Sequence, residues 1–439
     1  METFRSIRGM ADILPDETPL WQSLESIAAE LLSTYGYGEI RLPIIEVTEL
    51  FARSIGEVTD IVEKEMYSFE DRNGEVITLR PEGTAGCVRA IIQHSLSRTP
   101  QKVWYSGSMF RYERPQKGRK RQFHQIGAEA FGIGTPDQDV ELIAICQELW
   151  RRLGVSDAVK LEINSIGDAR DRARFREALV GFLKIRRKDL DTDSQRRLET
   201  NPIRILDSKH PKTQLLLDDA PQLYDYLSDE ARNNFEEIQD YLDLLKIPYQ
   251  VNPRLVRGLD YYNKLVFEWT TDHLGTQDTL CGGGRYDGLV STFGGKQTPA
   301  AGFAIGIDRL ILLMQEFRIE ASDTIDCYVI TENEAAYRYS LTRIAAIRQL
   351  LPELAIVQHL GGGSFKSQFK RADKSGAIWA LIYGEKEIQT GQVTVKPLRE
   401  AGGQETLAES ELLEFLSQFL VDIEDGRRRG VSRGGPHSG

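Results

Sequence analysis

Phe110-Arg111-Tyr112-Glu113, followed after a basic loop by Gln122-Phe123-His124-Gln125-Ile126-Gly127-Ala128-Glu129, decides the reading of this chain. It reads as two strands joined by a loop that carries Arg114, Lys117, Arg119, Lys120 and Arg121. Side chains alternate along a strand, so Arg111 and Glu113 share one face. Gln125, Gly127 and Glu129 share a face of the second strand. Gly127 removes the side chain between two polar groups, which leaves room for a ligand against the backbone. An arginine for phosphate, acids for amines and a basic loop in one hairpin suggest a site for a nucleotide and a small polar molecule. The plainer reading is a solvated hairpin with its charges outward.

Working outward, 439 residues exceed the usual single-domain size and predict two or three domains. No apolar run approaches the ~20 residues needed to cross a membrane. The stretch Met1-Glu2-Thr3-Phe4-Arg5 opens into polar sequence without a signal-peptide core, so a cytoplasmic location is expected. Cys87, Cys146, Cys281 and Cys327 are scattered, with no Cys-x-x-Cys spacing. That predicts reduced thiols, with neither a disulfide scaffold nor a cysteine zinc site. The six histidines show no paired ligand spacing, so no metal site is expected from protein side chains alone.

A net charge of −11 does not advertise nucleic-acid binding. Binding depends on local patches, however. The 114–121 loop is one. Lys366, Lys370, Arg371 and Lys374 form another, at spacings that fall on one helical face. Two such patches in separate regions of an acidic protein favour a long polyanion that spans both.

Residues 17–35 have helical periodicity, with Leu20, Leu24, Ile27, Ala28, Leu31 and Leu32 on one stripe. Glu39 to Pro43 reads as a short strand. Thr78 to Thr84 is a strand turning into a helix that runs to about Ser97, and 137–153 is a second amphipathic helix. Residues 170–250 read as an inserted, mostly helical subdomain. Strand character returns at 261–269, and Cys281-Gly282-Gly283-Gly284-Arg285-Tyr286-Asp287-Gly288 reads as a glycine-rich turn. Gly302 to Ile305 leads into a helix. A boundary lies near 317–325. Beyond it, strands and helices alternate over about 100 residues, as in a compact α/β domain. The Gly-, Ser- and Arg-rich segment 426–439 predicts disorder.

Arg111, Arg257 and Arg309 are candidates for oxyanion binding, since guanidinium clamps phosphates bidentately. Gly258 beside Arg257 allows close backbone approach. Several arginines on one centre suit transfer at phosphorus, where catalysis is largely positioning and charge stabilisation. There is no Gly-x-x-x-x-Gly-Lys-Ser/Thr loop, and Gly282-Gly283-Gly284 does not match the dinucleotide fingerprint.

At this point a family resemblance appears. Phe110 to Glu113 resembles motif 2 of class II aminoacyl-tRNA synthetases, and Gly302-Phe303-Ala304-Ile305-Gly306-Ile307-Asp308-Arg309 resembles motif 3. The strand near Pro43 is similar to motif 1. Arg257-Gly258-Leu259-Asp260-Tyr261-Tyr262 and Leu79-Arg80-Pro81-Glu82-Gly83-Thr84 resemble signatures of the histidyl-tRNA synthetase family. The resemblance runs from about residue 4 to about residue 421. Asp308 departs from the glutamate usual in motif 3 but keeps the charge.

The resemblance implies an α+β chain. Its catalytic domain, 1–322, would hold a six-stranded antiparallel sheet with the helical insertion. An α/β anticodon-binding domain would follow at 323–425. It implies histidine–tRNA ligase activity on L-histidine, ATP with Mg2+, and the tRNA for histidine, by a cytoplasmic homodimer. Arg111 would hold the α-phosphate and Glu113 the adenine amine. Arg119 would join the ATP site, and Arg309 would hold the distal phosphates or stack on adenine. Glu82, Thr84 and Gln125 would take the α-amino group. Glu129 and Tyr262 would take the imidazole nitrogens, with Tyr261 and Tyr286 lining that pocket. Arg257 would bridge carboxylate and α-phosphate, which makes Arg257, Arg111 and Gln125 the catalytic set. Gln116, Lys117 and Arg119 would meet the acceptor stem, and Lys366, Lys370, Arg371 and Lys374 the anticodon end. The rival reading is a silent synthetase-like regulatory subunit of ATP phosphoribosyltransferase. Such proteins typically lack the C-terminal domain and parts of the active site.

Overall fold

A computed structural model describes residues 4–55, 61–275, 279–319, 321, 325–400 and 402–428. The chain divides into two compact units, Met1–Ala321 and Ser322–Gly439. The first is built on an eight-stranded sheet. Its strands run in the order Gly38–Glu39, Gln101–Phe110, Gln122–Phe131, Ala300–Gly306, Thr279–Arg285, Asn263–Thr270, Lys160–Ser165, Gln250–Val251. The six central strands are antiparallel, and the two-residue edge strands are added in parallel. The central hairpin pairs in unbroken register from Gln101↔Phe131 to Phe110↔Gln122. Alternation along these strands splits the core in two. Trp104, Ile126 and Ala128 point into one cluster, and Tyr105, Met109 and Phe131 into the other.

The first face is covered by helices. Pro136–Arg152 starts with a proline and first-turn Asp137 and Asp139, and ends on Arg151 and Arg152. Each charge complements the helix dipole. Helix Thr18–Thr34 lies on the same side, and its stripe Leu20, Leu24, Ala28, Leu31 and Leu32 is buried in this unit's own core. The segment expected to be inserted is helical, at Ala169–Lys184, Thr192–Thr200, Pro211–Leu217 and Asp229–Leu244. It has no core of its own. Phe175, Leu179 and Leu183 join Tyr262, Tyr286 and Leu289 on the second face, while Phe235, Ile238 and Leu242 join the first.

Two local expectations fail. The predicted strand to Pro43 is only Gly38–Glu39. The glycine-rich turn at 281–288 is instead the strand Thr279–Arg285. Glycine serves there because neighbours press on the backbone: Arg257 over Gly282, the Phe267 ring over Gly283. A separate sheet of Ile45–Val47, Tyr67–Glu70 and Val76–Leu79 was not anticipated.

The second unit holds a five-stranded sheet in the order Ile356–Gln358, Cys327–Thr331, Trp379–Tyr383, Gln392–Pro397, Glu405–Ala408. The first three strands are parallel and the rest antiparallel. Its helices include Glu334–Leu350, Phe365–Lys374, the short Glu385–Thr390 and Glu409–Arg428. The last runs to Arg428, three residues into the segment expected to be disordered; residues 429–439 lie outside the described ones.

Candidate active site

The motif hairpin does not place Arg111 and Glu113 as expected. Its first strand stops at Phe110, so Arg111 to Glu113 belong to the loop. The two side chains do not pair. Arg111 Nε donates to the Pro81 carbonyl at 2.9 Å, and Glu113 pairs with Arg119 of the same loop. Arg111, Glu113 and Arg119 nevertheless line one pocket with Glu82, Thr84, Gln125, Arg257, Tyr261, Tyr262 and Arg309. Residues remote in sequence thus converge on the second face of the sheet.

Glu129 lies just behind that pocket and is 1% exposed. Its Oε1 accepts from Thr84 Oγ1 at 2.7 Å and from the Tyr105 hydroxyl at 3.2 Å. Its Oε2 accepts from the Tyr286 hydroxyl. Burial pushes this carboxyl up to about 8, although the three hydroxyl donors favour its ionised form. Tyr105 was not legible as a site residue. It also corrects the expectation for Gly127: the space left by the missing side chain is filled by the Tyr105 ring, not by a ligand. Tyr261, Tyr262 and Tyr286 pack as an aromatic wall, with centroids 4.6 Å apart for the first two and 5.5 Å for Tyr261 and Tyr286.

Glu82 is buried and accepts the backbone N–H groups of Thr84 at 2.6 Å and Ala85 at 2.9 Å. It thereby satisfies the first orphan donors of helix Thr84–Gln93 while lining the pocket. Gln125 Oε1 is buried in the pocket without a hydrogen-bond partner. A buried unpaired carbonyl oxygen costs about 1–3 kcal/mol, so a ligand donor is the natural complement.

Arg257 sits opposite. Its guanidinium presses against Gly282, where any Cβ would collide with it, and it pairs with Glu268 of strand Asn263–Thr270. Glu268 was missed in the sequence. Its signal was an acid inside the apolar run Val266-Phe267-Glu268-Trp269.

The other end of the pocket is formed by the loop and by helix Ile307–Glu316. Arg309 donates to the carbonyls of Gly118 at 3.2 Å and Thr279 at 2.6 Å. Asp308 accepts the His124 N–H at 2.7 Å and pairs with Lys120 at 2.9 Å. Burial opposes ionisation of this acid, but those donors hold it below the usual carboxylate range. Arg121 stacks on Tyr112 at 3.8 Å. Three of the loop's five cations, Arg119, Lys120 and Arg121, therefore tie the loop down. Arg114, Gln116 and Lys117 face solvent. No group of three or more potential metal ligands occurs among the described residues.

In the second unit, Lys366, Lys370, Arg371 and Lys374 are all exposed on helix Phe365–Lys374, with Gln368 and Ala372 turned inward. No helix among the described residues is long and apolar enough to cross a membrane.

Residues 9–310 match the family model of histidyl-tRNA synthetase, and residues 326–419 match the anticodon binding domain model. The chain belongs to the histidyl-tRNA synthetase family. The solved apo histidyl-tRNA synthetase of S. aureus is 36% identical, with 94% of this chain and 99% of that one covered and a TM-score of 0.79. A histidyl-tRNA synthetase from Nostoc sp. PCC 7120 is 21% identical, with 95% and 100% covered and a TM-score of 0.69. A Bacillus halodurans C protein described as an ATP phosphoribosyltransferase regulatory subunit/histidyl-tRNA synthetase is 22% identical, with 88% and 99% covered and a TM-score of 0.63. These last two share the fold. As in the rest of the family, the synthetase core here is a mixed sheet rich in antiparallel strands, followed by an anticodon-binding domain.

Proposed function

We propose that this chain is a cytoplasmic histidine–tRNA ligase. The observation that carries the reading is the convergence of Arg111, Arg257 and the unpaired Gln125 oxygen on one pocket, with buried Glu129 behind it. Histidine binds with its α-amino group toward Glu82, Thr84 and Gln125. Its ring lies against Glu129, Tyr262 and the Tyr261–Tyr286 wall. An imidazole has two nitrogens, one donor and one acceptor, and a carboxylate plus a phenol supply both partners. Leaving such groups unpaired gives ~10⁴–10⁵ discrimination without editing.

The histidine carboxylate is already a nucleophile and needs no protein base. It attacks the α-phosphorus of ATP, the bond to the β-phosphate oxygen breaks, and pyrophosphate leaves. Arg111 and Arg257 stabilise the charge that develops on the α-phosphoryl oxygens. Arg119 and Arg309 take the distal phosphates or adenine once released from Glu113 and the Gly118 carbonyl. Mg2+ would be part of the Mg·ATP substrate and would supply neutralisation of the phosphate charge. In the second step a hydroxyl of the terminal adenosine attacks the histidyl carbonyl and AMP departs. The exposed Gln116 and Lys117 meet the acceptor stem.

The test is histidine-dependent exchange of pyrophosphate into ATP. A Bacillus halodurans protein of the same fold is described as a regulatory subunit/histidyl-tRNA synthetase, and the alternative reading is a regulatory protein that binds without catalysis. Absence of exchange together with retained histidine binding would select it.

Glu129→Gln and Tyr262→Phe each weaken histidine binding by about 1–3 kcal/mol while leaving the ATP KM within about twofold. The wild-type KM for histidine falls as pH rises from 7 toward 8.5, because Glu129 gains its charge near pH 8. Glu129→Gln abolishes that trend. Equal rises of both Michaelis constants would show that these residues do not read the ring.

The anticodon-binding domain presents Lys366, Lys370, Arg371 and Lys374 to tRNA phosphates. Changing all four to alanine flattens the dependence of log affinity on log salt by roughly 3–4. An unchanged slope would mean that this face is merely solvated.

A homodimer contact is not available to the stripe Leu20 to Leu32, which is buried in this unit's own core. We place it on the separate small sheet, where Ile45, Val47 and Phe69 share a face by register and are exposed. Three exposed apolar side chains on one face offer a second copy a surface to cover. Ile45→Glu/Phe69→Glu shifts the sedimentation of a dimer at micromolar concentration to that of a monomer. A wild-type monomer under those conditions rules the contact out.

A further inference from the structure

We propose that Glu268 is the positioning residue for Arg257, resting on the ligase reading above. Arg257 comes from the segment 252–262, which has neither helix nor strand to hold it. A free arginine side chain carries about 2 kcal/mol of rotamer entropy, so a fixed catalytic geometry needs an external clamp. Three contacts supply it, one of them the Tyr262 ring, whose centroid lies 5.6 Å from the guanidinium carbon. The guanidinium closes on Gly282, which has no side chain to hold it off, and Nη1 donates to Glu268 Oε1. Glu268 is fixed in turn. It lies in the middle of strand Asn263–Thr270, in register opposite Gly282. Its Oε2 accepts from Thr279 Oγ1 at 3.1 Å. Thr279, Gly282 and Glu268 thus form a three-point seat on adjacent strands.

The placement of Glu268 supports this role over that of a core ion pair. Arg257 lines the catalytic pocket, whereas Glu268 lines a second, polar cavity of about 450 Å³ with Lys160, Glu162, Asn252 and Arg254. The pair forms part of the partition between the two. Glu268 therefore approaches Arg257 from the side of the second cavity, while Arg257 itself lines the catalytic pocket. It does not itself contact substrate.

The test is a double-mutant cycle in histidine-dependent pyrophosphate exchange. Glu268→Ala lowers kcat on the order of 10–100-fold, because a displacement of about 1 Å at a catalytic group costs up to ~10². The Michaelis constants for histidine and ATP stay within about threefold. Glu268→Gln, which keeps an acceptor oxygen and the shape, loses less. In an Arg257→Ala background Glu268→Ala has no further effect, because neighbours that act as a unit are non-additive. Full additivity in the two backgrounds, or an unchanged kcat in folded Glu268→Ala, overturns the proposal. If Glu268→Ala does not fold, the isosteric Glu268→Gln carries the cycle. Wild-type protein without any histidine-dependent exchange instead refutes the ligase reading, which separates the two failures.

Discussion

Arg257→Ala reduces histidine-dependent pyrophosphate exchange by ~10²–10³-fold, equivalent to about 3–4 kcal/mol of lost charge stabilisation. The loss falls on kcat. In the proposed chemistry the guanidinium acts on charge that appears only as the carboxylate attacks phosphorus, so ground-state binding changes little. The fold survives the substitution, since the seat of Arg257 is glycine and an accessible polar wall, not packed core. Lysine does not restore the rate, because an ammonium lacks the planar fork that binds an oxyanion bidentately. Near wild-type exchange in folded Arg257→Ala would remove this residue from the mechanism.

The second large effect is on stability. Arg285 is fully buried, and each of its five N–H groups has an acceptor. Nε and one Nη2 proton bind Asp139, the other Nη2 proton goes to the Thr135 carbonyl, and Nη1 serves the Ile133 carbonyl and Asp287. Burial pushes the Asp139 carboxyl up to about 6 against the pull of Arg285, so the pair is still ionised at neutral pH. Arg285→Ala strands that charge in the core and costs about 3–5 kcal/mol. The pair Arg285→Met/Asp139→Leu recovers much of the loss, since it removes both charges. Urea unfolding of the three proteins measures this. A loss below about 1 kcal/mol for Arg285→Ala would show that the pair is not a keystone. Because Tyr286 follows in sequence and donates to Glu129, the single mutant also weakens histidine binding.

What could be read from the sequence, and what could not, follows from range. Helices with clear periodicity, such as Thr18–Thr34 and Pro136–Arg152, were visible because the pattern repeats over several turns. Pocket residues Arg111, Gln125, Arg257 and Tyr262 were visible because they sit in short motifs of special composition. Contacts between distant strands were not. Gly282-Gly283-Gly284 reads as a turn by propensity, and only the neighbouring Arg257 and Phe267 explain why a strand there needs glycine. Tyr105 looks like any strand aromatic until Gly127, one strand away, opens the space for its ring. The stripe Leu20 to Leu32 shows that a helix face is buried, but not whether the chain's own core or a second copy covers it. The short strands Gly38–Glu39 and Glu405–Ala408 carry too little pattern to stand out from their loops.

On the proposed reading this chain joins histidine, and no other amino acid, to its tRNA. The direct measurement is aminoacylation of the tRNA for histidine by the full chain with Mg·ATP, run separately with each of the twenty amino acids. The account predicts charging with histidine and at least ~10⁴-fold less with any other amino acid. Charging with a different amino acid, or none at all from a folded protein that binds histidine, would contradict it.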